Sequence, residues 1–205
     1  MERGLFVVIE GPDGSGQSTQ AELLRRWFER RKERVFETKE PTNSLVGGII
    51  RVILRKEWDV DMKTLQLLFT SDRAHHLKTE IIPLLNRGVH IISDRYILST
   101  LAFGSIEEDL EWLKQINSRF LIPDLTFILN APGKICASRI AKSRFGFEFF
   151  ETPEKLERIR NNYLKLKDYH PNTHVIKSYN RRIEDVHREI TKIIESYCKQ
   201  KGIKI

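Results

Sequence analysis

Short apolar segments alternate along this chain with stretches whose apolar positions recur every three or four residues. Segments 5–10, 35–39, 89–93, 125–130 and 174–177 have strand length and are predicted as strands. Between them, helical spacing predicts helices at 18–32, 46–56, 62–86, 107–119, 132–143, 153–168 and 182–199. Leu23, Leu24, Trp27 and Phe28 make the stripe of the first helix. Short strands separated by helices predict an α/β fold, a five-stranded parallel sheet covered on both faces. Ligands of such sheets bind beyond the carboxyl ends of the strands, so the residues after each strand are the first candidates for chemistry. No repeat, low-complexity tract or linker divides the chain, and one domain over 1–205 is expected.

After the first strand runs Gly11-Pro12-Asp13-Gly14-Ser15-Gly16-Gln17-Ser18-Thr19. The phosphate-cradling pattern G-x-x-x-x-G-K-[ST] is met except for its lysine, which is Gln17. Its glycines let backbone N–H groups and a helix N-terminus surround an anion, and Ser18 offers a hydroxyl for magnesium. After the third strand come Asp94 and Arg95, suited to magnesium and to a phosphoryl group, or else an ion pair that caps the strand end. Phe69 and Arg73 stand four apart on the long helix, so both reach one pocket. A buried arginine needs an anion or a carbonyl, and a core carboxylate would satisfy Arg73 as well as a ligand would. Glu40, after the second strand and before Pro41, has three readings: general base, metal-shell carboxylate or surface residue. Segment 142–151 mixes basic, glycine and aromatic residues, as a flap over a ligand or an irregular loop would.

Composition changes this picture little. A net charge of +7 and a pI of about 9.4 favour anionic partners, but Lys and Arg are interleaved with Asp and Glu along the whole chain. No nucleic-acid recognition motif accompanies the charge. Cys136 and Cys198 read as reduced structural thiols, and the adjacent His75 and His76 point in different directions from a helix, unlike a metal pair. No apolar run is long enough to span a bilayer and no signal segment precedes the first strand, so a cytoplasmic protein without membrane contact is expected.

The sequence resembles the thymidylate kinases, P-loop nucleoside-monophosphate kinases that phosphorylate dTMP. The motifs that carry this span nearly the whole chain: E-G-x-D-G-x-G at 10–16, E-P at 40–41, L-L-F-x-x-D-R at 67–73, D-R-Y-x-x-S-T-x-A-F at 94–103 and P-D at 123–124. Thermophilic archaeal members are similar in size and charge. The resemblance implies a three-layer P-loop NTPase fold with a lid at 142–151, ATP and magnesium as cofactors, and a homodimer. It implies that Gly11, Asp13, Gly14, Ser15, Gly16, Gln17, Ser18 and Thr19 bind the donor nucleotide, with Arg139 assisting. It further implies that Phe69 stacks on thymine, Arg73 donates to a thymine carbonyl, and Thr100 sits at the base edge. Arg95 would hold the acceptor phosphate, Phe103 would pack against the deoxyribose, and Asp13 would reach the sugar and metal region. Arg144, in the lid, would be the catalytic arginine, and residues 180–182 would border adenine.

The reaction implied moves the γ-phosphoryl of ATP onto dTMP. Magnesium would sit on Ser18 and, through water, on Asp94 or Glu10. Gln17 brings an amide dipole where the family brings a full charge, so a slow or rewired kinase is expected, with Arg95, Arg144 or Arg139 compensating. Two alternatives remain at this stage. A deoxynucleoside kinase would use Glu40 as base, and a nucleotide-binding pseudokinase would have lost catalysis with the lysine.

Overall fold

A computed structural model describes residues 3–143, 152–203 and 205. Five parallel strands, β1 (Phe6–Glu10), β2 (Val35–Lys39), β3 (His90–Asp94), β4 (Leu125–Asn130) and β5 (Thr173–Lys177), form one sheet in the order β2-β3-β1-β4-β5. The expected strands are thus present, β2 and β4 with the expected bounds and the other three with ends shifted by one residue. β1 is central and its five residues are all buried. Its alternation divides the core: Phe6 and Val8 point to one face, Leu5, Val7 and Ile9 to the other.

On the Val7 face, α1 (Gln17–Arg30) lays down Ala21, Leu24, Trp27 and Phe28, and α9 (Ile183–Lys201) lays down Val186, Ile190, Ile194 and Cys198. Those four residues of α9 are spaced by four, one stripe of a helix. The opposite face is covered by α2 (Leu45–Leu54), α3 (Met62–His76), α5 (Ile97–Gly104), α6 (Leu110–Asn117) and α8 (Pro153–Lys165). Helices on both sides of a parallel sheet make a three-layer α/β architecture, and the glycine-rich loop between β1 and α1 gives it the form of the expected P-loop NTPase fold. Side-chain caps start four helices: Ser44 for α2, Asp61 for α3, Asp109 for α6 and Thr152 for α8.

Two helical expectations are corrected. The helix expected at 62–86 is α3, then a single π turn over Leu77–Ile81, then α4 (Ile82–Asn86). Pro83 lies in the first turn of α4 and has no N–H to give, so the hydrogen-bond ladder widens ahead of it. The second correction is α5, which the spacing did not announce. It is eight residues long, almost wholly apolar and without a capping side chain; burial of Ile97, Leu98, Leu101 and Ala102 holds it. The flap expected at 142–151 begins on the last turn of α7 (Gly133–Ser143), and its residues 144–151, with Arg144, lie outside the described residues.

Register places the chemistry. Ile9 pairs with Asp94, and Asp94 with Lys39, so the carboxyl ends of β1, β3 and β2 lie side by side.

Candidate active site

The loop after β1 is held open by backbone geometry. Gly11, Gly14 and Gly16 all have positive φ. A Cβ on Gly14 would lie 2.6 Å from the Cys136 carbonyl oxygen, so no side chain fits there. Gln17, where the pattern has lysine, is buried and turned back into the loop. Its Nε2 donates to the Gly11 carbonyl at 2.6 Å, and its Oε1 accepts from Ser15 Oγ at 3.0 Å. The amide therefore closes the loop from within. Arg139 of α7 donates to the carbonyls of Gly14, at 3.2 Å, Ser15, at 3.4 Å, and Ser178, at 2.9 Å. It braces the loop against the segment that follows β5.

Ser18, on the first turn of α1, donates to Asp94 Oδ2 at 2.6 Å. The two residues expected to hold magnesium are thus brought together. A hydroxyl and a carboxylate are hard oxygen donors, the set magnesium takes alongside nucleotide phosphates. Burial raises the Asp94 carboxyl above its ordinary pKa, opposed by the charge of Arg95 and the Ser18 hydrogen bond. Of the two carboxylates expected to serve as alternatives, Asp94 or Glu10, it is Asp94 that meets Ser18. The Glu10 side chain is fully buried and accepts from the Tyr96 N–H at 3.0 Å, Ser99 Oγ at 2.5 Å and Tyr163 Oη at 3.2 Å. The last strand residue of β1 points beneath the site, and burial pushes its pKa up to about 7.

Arg95 follows Asp94 with φ 76°, a left-handed backbone that a bulky residue adopts at a cost of about 1–2 kcal/mol. Its Nη2 donates to Asp13 Oδ1 at 2.6 Å and its Nη1 to the Gly11 carbonyl at 3.0 Å. Burial opposes the charge, but Asp13, then Tyr163, Asp94 and Glu10, hold it protonated and raise its pKa. Its guanidinium carbon lies 5.0 Å from the Phe103 ring centroid, so Phe103 and Arg95 share a wall.

Arg73 is the largest fully buried side chain among the described residues. Its Nη2 lies 2.7 Å from Glu40 Oε2 and its Nε donates to the same oxygen at 2.9 Å. It also donates to Asn117, the Tyr96 carbonyl and Thr100 Oγ1. Of the two satisfactions open to Arg73, the core carboxylate is the one made. Glu40 is accordingly neither surface residue nor free base: its other oxygen lies 3.1 Å from His76 Nδ1. Neither Glu40's pairing nor the loop-closing use of Gln17 was expected, and no spacing rule would have found them, since the partners of Glu40 are 33 and 36 positions away.

One cavity of about 660 Å³ joins these groups. Its wall includes Asp13 to Thr19, Asp94, Arg95, Phe69, Arg73, Thr100, Phe103 and Arg139. Sequence reasoning missed Arg51 and Lys39 on the same wall. Arg51 is anchored on the carbonyls of Pro41 and Thr42, and a cation after the E-P turn was the available signal. Arg181, from the expected adenine border, also lines the cavity.

The family model described as thymidylate kinase matches residues 9–190. A probable thymidylate kinase of Pyrococcus horikoshii is 40% identical, covering 94% of this chain and 97% of its own. One from Methanocaldococcus jannaschii is 38% identical over 93% of this chain and 95% of its own. The thymidylate kinase of Neisseria meningitidis is 31% identical over 94% and 97%.

Proposed function

The chain belongs to the thymidylate kinase family, and on that premise we propose that it transfers the γ-phosphoryl group of ATP to dTMP, giving ADP and dTDP. The observation that carries this reading is the single cavity running from the phosphate loop, past the Ser18–Asp94 pair and Arg95, to Phe69, Arg73 and Thr100. A donor with its phosphates on the loop and an acceptor with its base at Phe69 meet end to end beside Arg95.

An oxygen of the dTMP phosphate attacks the γ-phosphorus, and the bond to the β–γ bridging oxygen breaks. The acceptor phosphate has a second pKa of about 6, so it is largely ionised at neutral pH and no general base is needed. That removes the task a deoxynucleoside kinase would give Glu40, whose oxygens are engaged by Arg73 and His76. Arg95 exchanges its Asp13 and Gly11 partners for acceptor phosphate oxygens and holds them in line. Phe69 stacks on thymine, Arg73 and Thr100 present donors to the base edge, and Phe103 packs on the deoxyribose. Gly11, Asp13, Gly14, Ser15, Gly16, Gln17, Ser18 and Thr19 form the donor site, braced from behind by Arg139. Ser18 and Asp94 would hold magnesium, which neutralises charge on the donor phosphates when bound. Arg144, outside the described residues, is assigned to the transferred group.

Three further readings accompany this one. The whole chain acts as one kinase domain. It works as a homodimer, for which Leu45 of α2 and Leu67 of α3 offer exposed apolar positions on two packed helices. It acts in the cytoplasm, and no helix among the described residues is long and apolar enough to cross a membrane.

ADP release with ATP and magnesium, measured across a panel of nucleoside monophosphates and thymidine, tests the reaction. Turnover is expected with dTMP well above the rest. Binding of both nucleotides without ADP, or preference for thymidine, would overturn it.

A further inference from the structure

Arg73 does not stand alone at the base end of the cavity. Behind it runs a buried chain of hydrogen bonds: Arg73 to Glu40 Oε2, Glu40 Oε1 to His76 Nδ1 at 3.1 Å, and His76 Nε2 to Glu80 Oε2 at 2.9 Å. The side chains of Arg73, Glu40 and His76 are 1%, 3% and 2% exposed, whereas that of Glu80 is 36% exposed. The chain thus runs from the cavity wall at Arg73 to a partly exposed carboxylate at Glu80.

The geometry constrains the proton count on His76. Each ring nitrogen faces a carboxylate oxygen, and a neutral imidazole has only one N–H to offer. Either tautomer would aim a nitrogen lone pair at a carboxylate, one at Glu40, the other at Glu80. The Thr38 hydroxyl of β2 lies 2.8 Å from Nε2 and 2.9 Å from Glu80 Oε2 but has one proton, so giving it to the ring would leave Glu80 facing two lone pairs. A proton placed on Glu40 instead would leave Arg73 facing a neutral group in a dry interior. With Glu40 and Glu80 both ionised, only the imidazolium satisfies every partner.

We propose that His76 is a positioning residue, held as the imidazolium between Glu40 and Glu80, and that it fixes the carboxylate that aims Arg73 at the acceptor's base. The charged groups facing the ring are Glu40 from the β2–α2 connection and Glu80 from the π turn; Arg73, on the same helix, lies beyond Glu40. Asp72, the other charge on that helix face, is spent on Thr42 and Ser44. Burial works against the ring's charge, and Glu40, then Glu80, outweigh it, so the pKa is raised above its ordinary value. The positioning is accordingly complete below the ordinary histidine pKa of about 6.5 and is lost as pH rises through the raised value.

This inference rests on the reading of Arg73 as the base contact, so its test keeps the two apart. The titration of His76 followed by NMR in the substrate-free protein is compared with the pH profile of KM for dTMP at saturating ATP. Both are measured in the wild type and in Glu80→Gln, which leaves the cavity untouched. The wild type is expected to show KM rising severalfold, with kcat little changed, at the pH where His76 titrates. Removing one of two anionic partners should lower that pH by about one unit in both measurements. The ionisation of dTMP itself is common to both proteins and cancels in the comparison. A His76 that is neutral at pH 6 would overturn the proposal, as would an NMR shift in Glu80→Gln with no matching shift in KM. Absence of dTMP turnover at every pH would overturn the reading of the site instead, while the substrate-free titration would still report the proton on His76.

Discussion

The two ends of the cavity handle charge in opposite ways. At the phosphate end, Arg139 rests on backbone carbonyls, and Arg95 holds the Gly11 carbonyl, the Ser99 and Tyr163 hydroxyls and a partly exposed ion pair with Asp13. At the base end, Arg73 is locked by Glu40, Asn117, Thr100 and the Tyr96 carbonyl, with almost no exposure. Carbonyls, hydroxyls and a single partly exposed carboxylate hold a guanidinium less firmly than a doubly charged phosphate with paired oxygens, so the first arrangement yields to a ligand. A buried ion pair cannot be given up without stranding a charge, so the second does not. The phosphate end is built to exchange partners as charge moves, and the base end to stay still while a neutral ring is read against it.

The contrast can be broken most severely at the base end. Arg73→Ala leaves Glu40 buried beside a void and is expected to destabilise the protein by about 3–5 kcal/mol, read as a lower midpoint of thermal unfolding. Adding Glu40→Gln should restore much of that loss without restoring dTMP affinity. Recovery of both would mean that Arg73 has no part in recognition.

A second test works through pH beneath the phosphate end. Glu10 is buried with its pKa pushed up to about 7, against an ordinary carboxylate value near 4.5. A raised carboxyl contributes stability that is complete below the ordinary value and is lost as pH climbs through the raised one. Stability is therefore expected to fall by up to about 3 kcal/mol between pH 4.5 and pH 7 from this group, then to level off. Glu10→Gln, which keeps a neutral side chain of the same shape, should flatten that slope in denaturant unfolding. An unchanged slope would show that Arg95 and the hydroxyls of Ser99 and Tyr163 keep Glu10 ionised.

The smallest expected effect on stability is at Gln17. Gln17→Lys supplies a charge to the donor phosphates but removes the acceptor of the Ser15 hydroxyl. Turnover should rise about a hundredfold, since a charged donor acting at the transition state is worth about 3 kcal/mol. Thermal stability should fall by about 1 kcal/mol for the lost loop hydrogen bond. Unchanged turnover would place the compensating charge already in the site, and Arg139→Gln in the same background would then locate it.

Much of this was legible in the chain itself. The strand rhythm, the glycine spacing, the hydroxyl of Ser18 and the motif around Asp94 each lie within a few residues, and local sterics and hydrogen bonding dictate what such short strings can do. That is why the five strands and the phosphate loop are predictable, and why Ser18 and Asp94, 2.6 Å apart, stand out together in the sequence as oxygen donors for magnesium. The π turn before Pro83 and the unannounced helix α5 are not. The first depends on how a missing N–H is absorbed in a packed helix, the second on burial of a short apolar segment that has no cap of its own.

Pairings across the fold were decided elsewhere. Whether Glu40 is base, metal shell or ion-pair partner turns on Arg73 and His76, which arrive from another helix. Whether Gln17 faces phosphate or its own loop turns on a carbonyl six residues back. Glu10 and Asp94 end neighbouring strands, yet one is sealed under the site and the other opens on it, because alternate strand positions face opposite sides of the sheet. Sequence fixes which groups are available and roughly where the chain turns; only packing decides which partner each buried charge can reach, since that energy depends on distance through the fold.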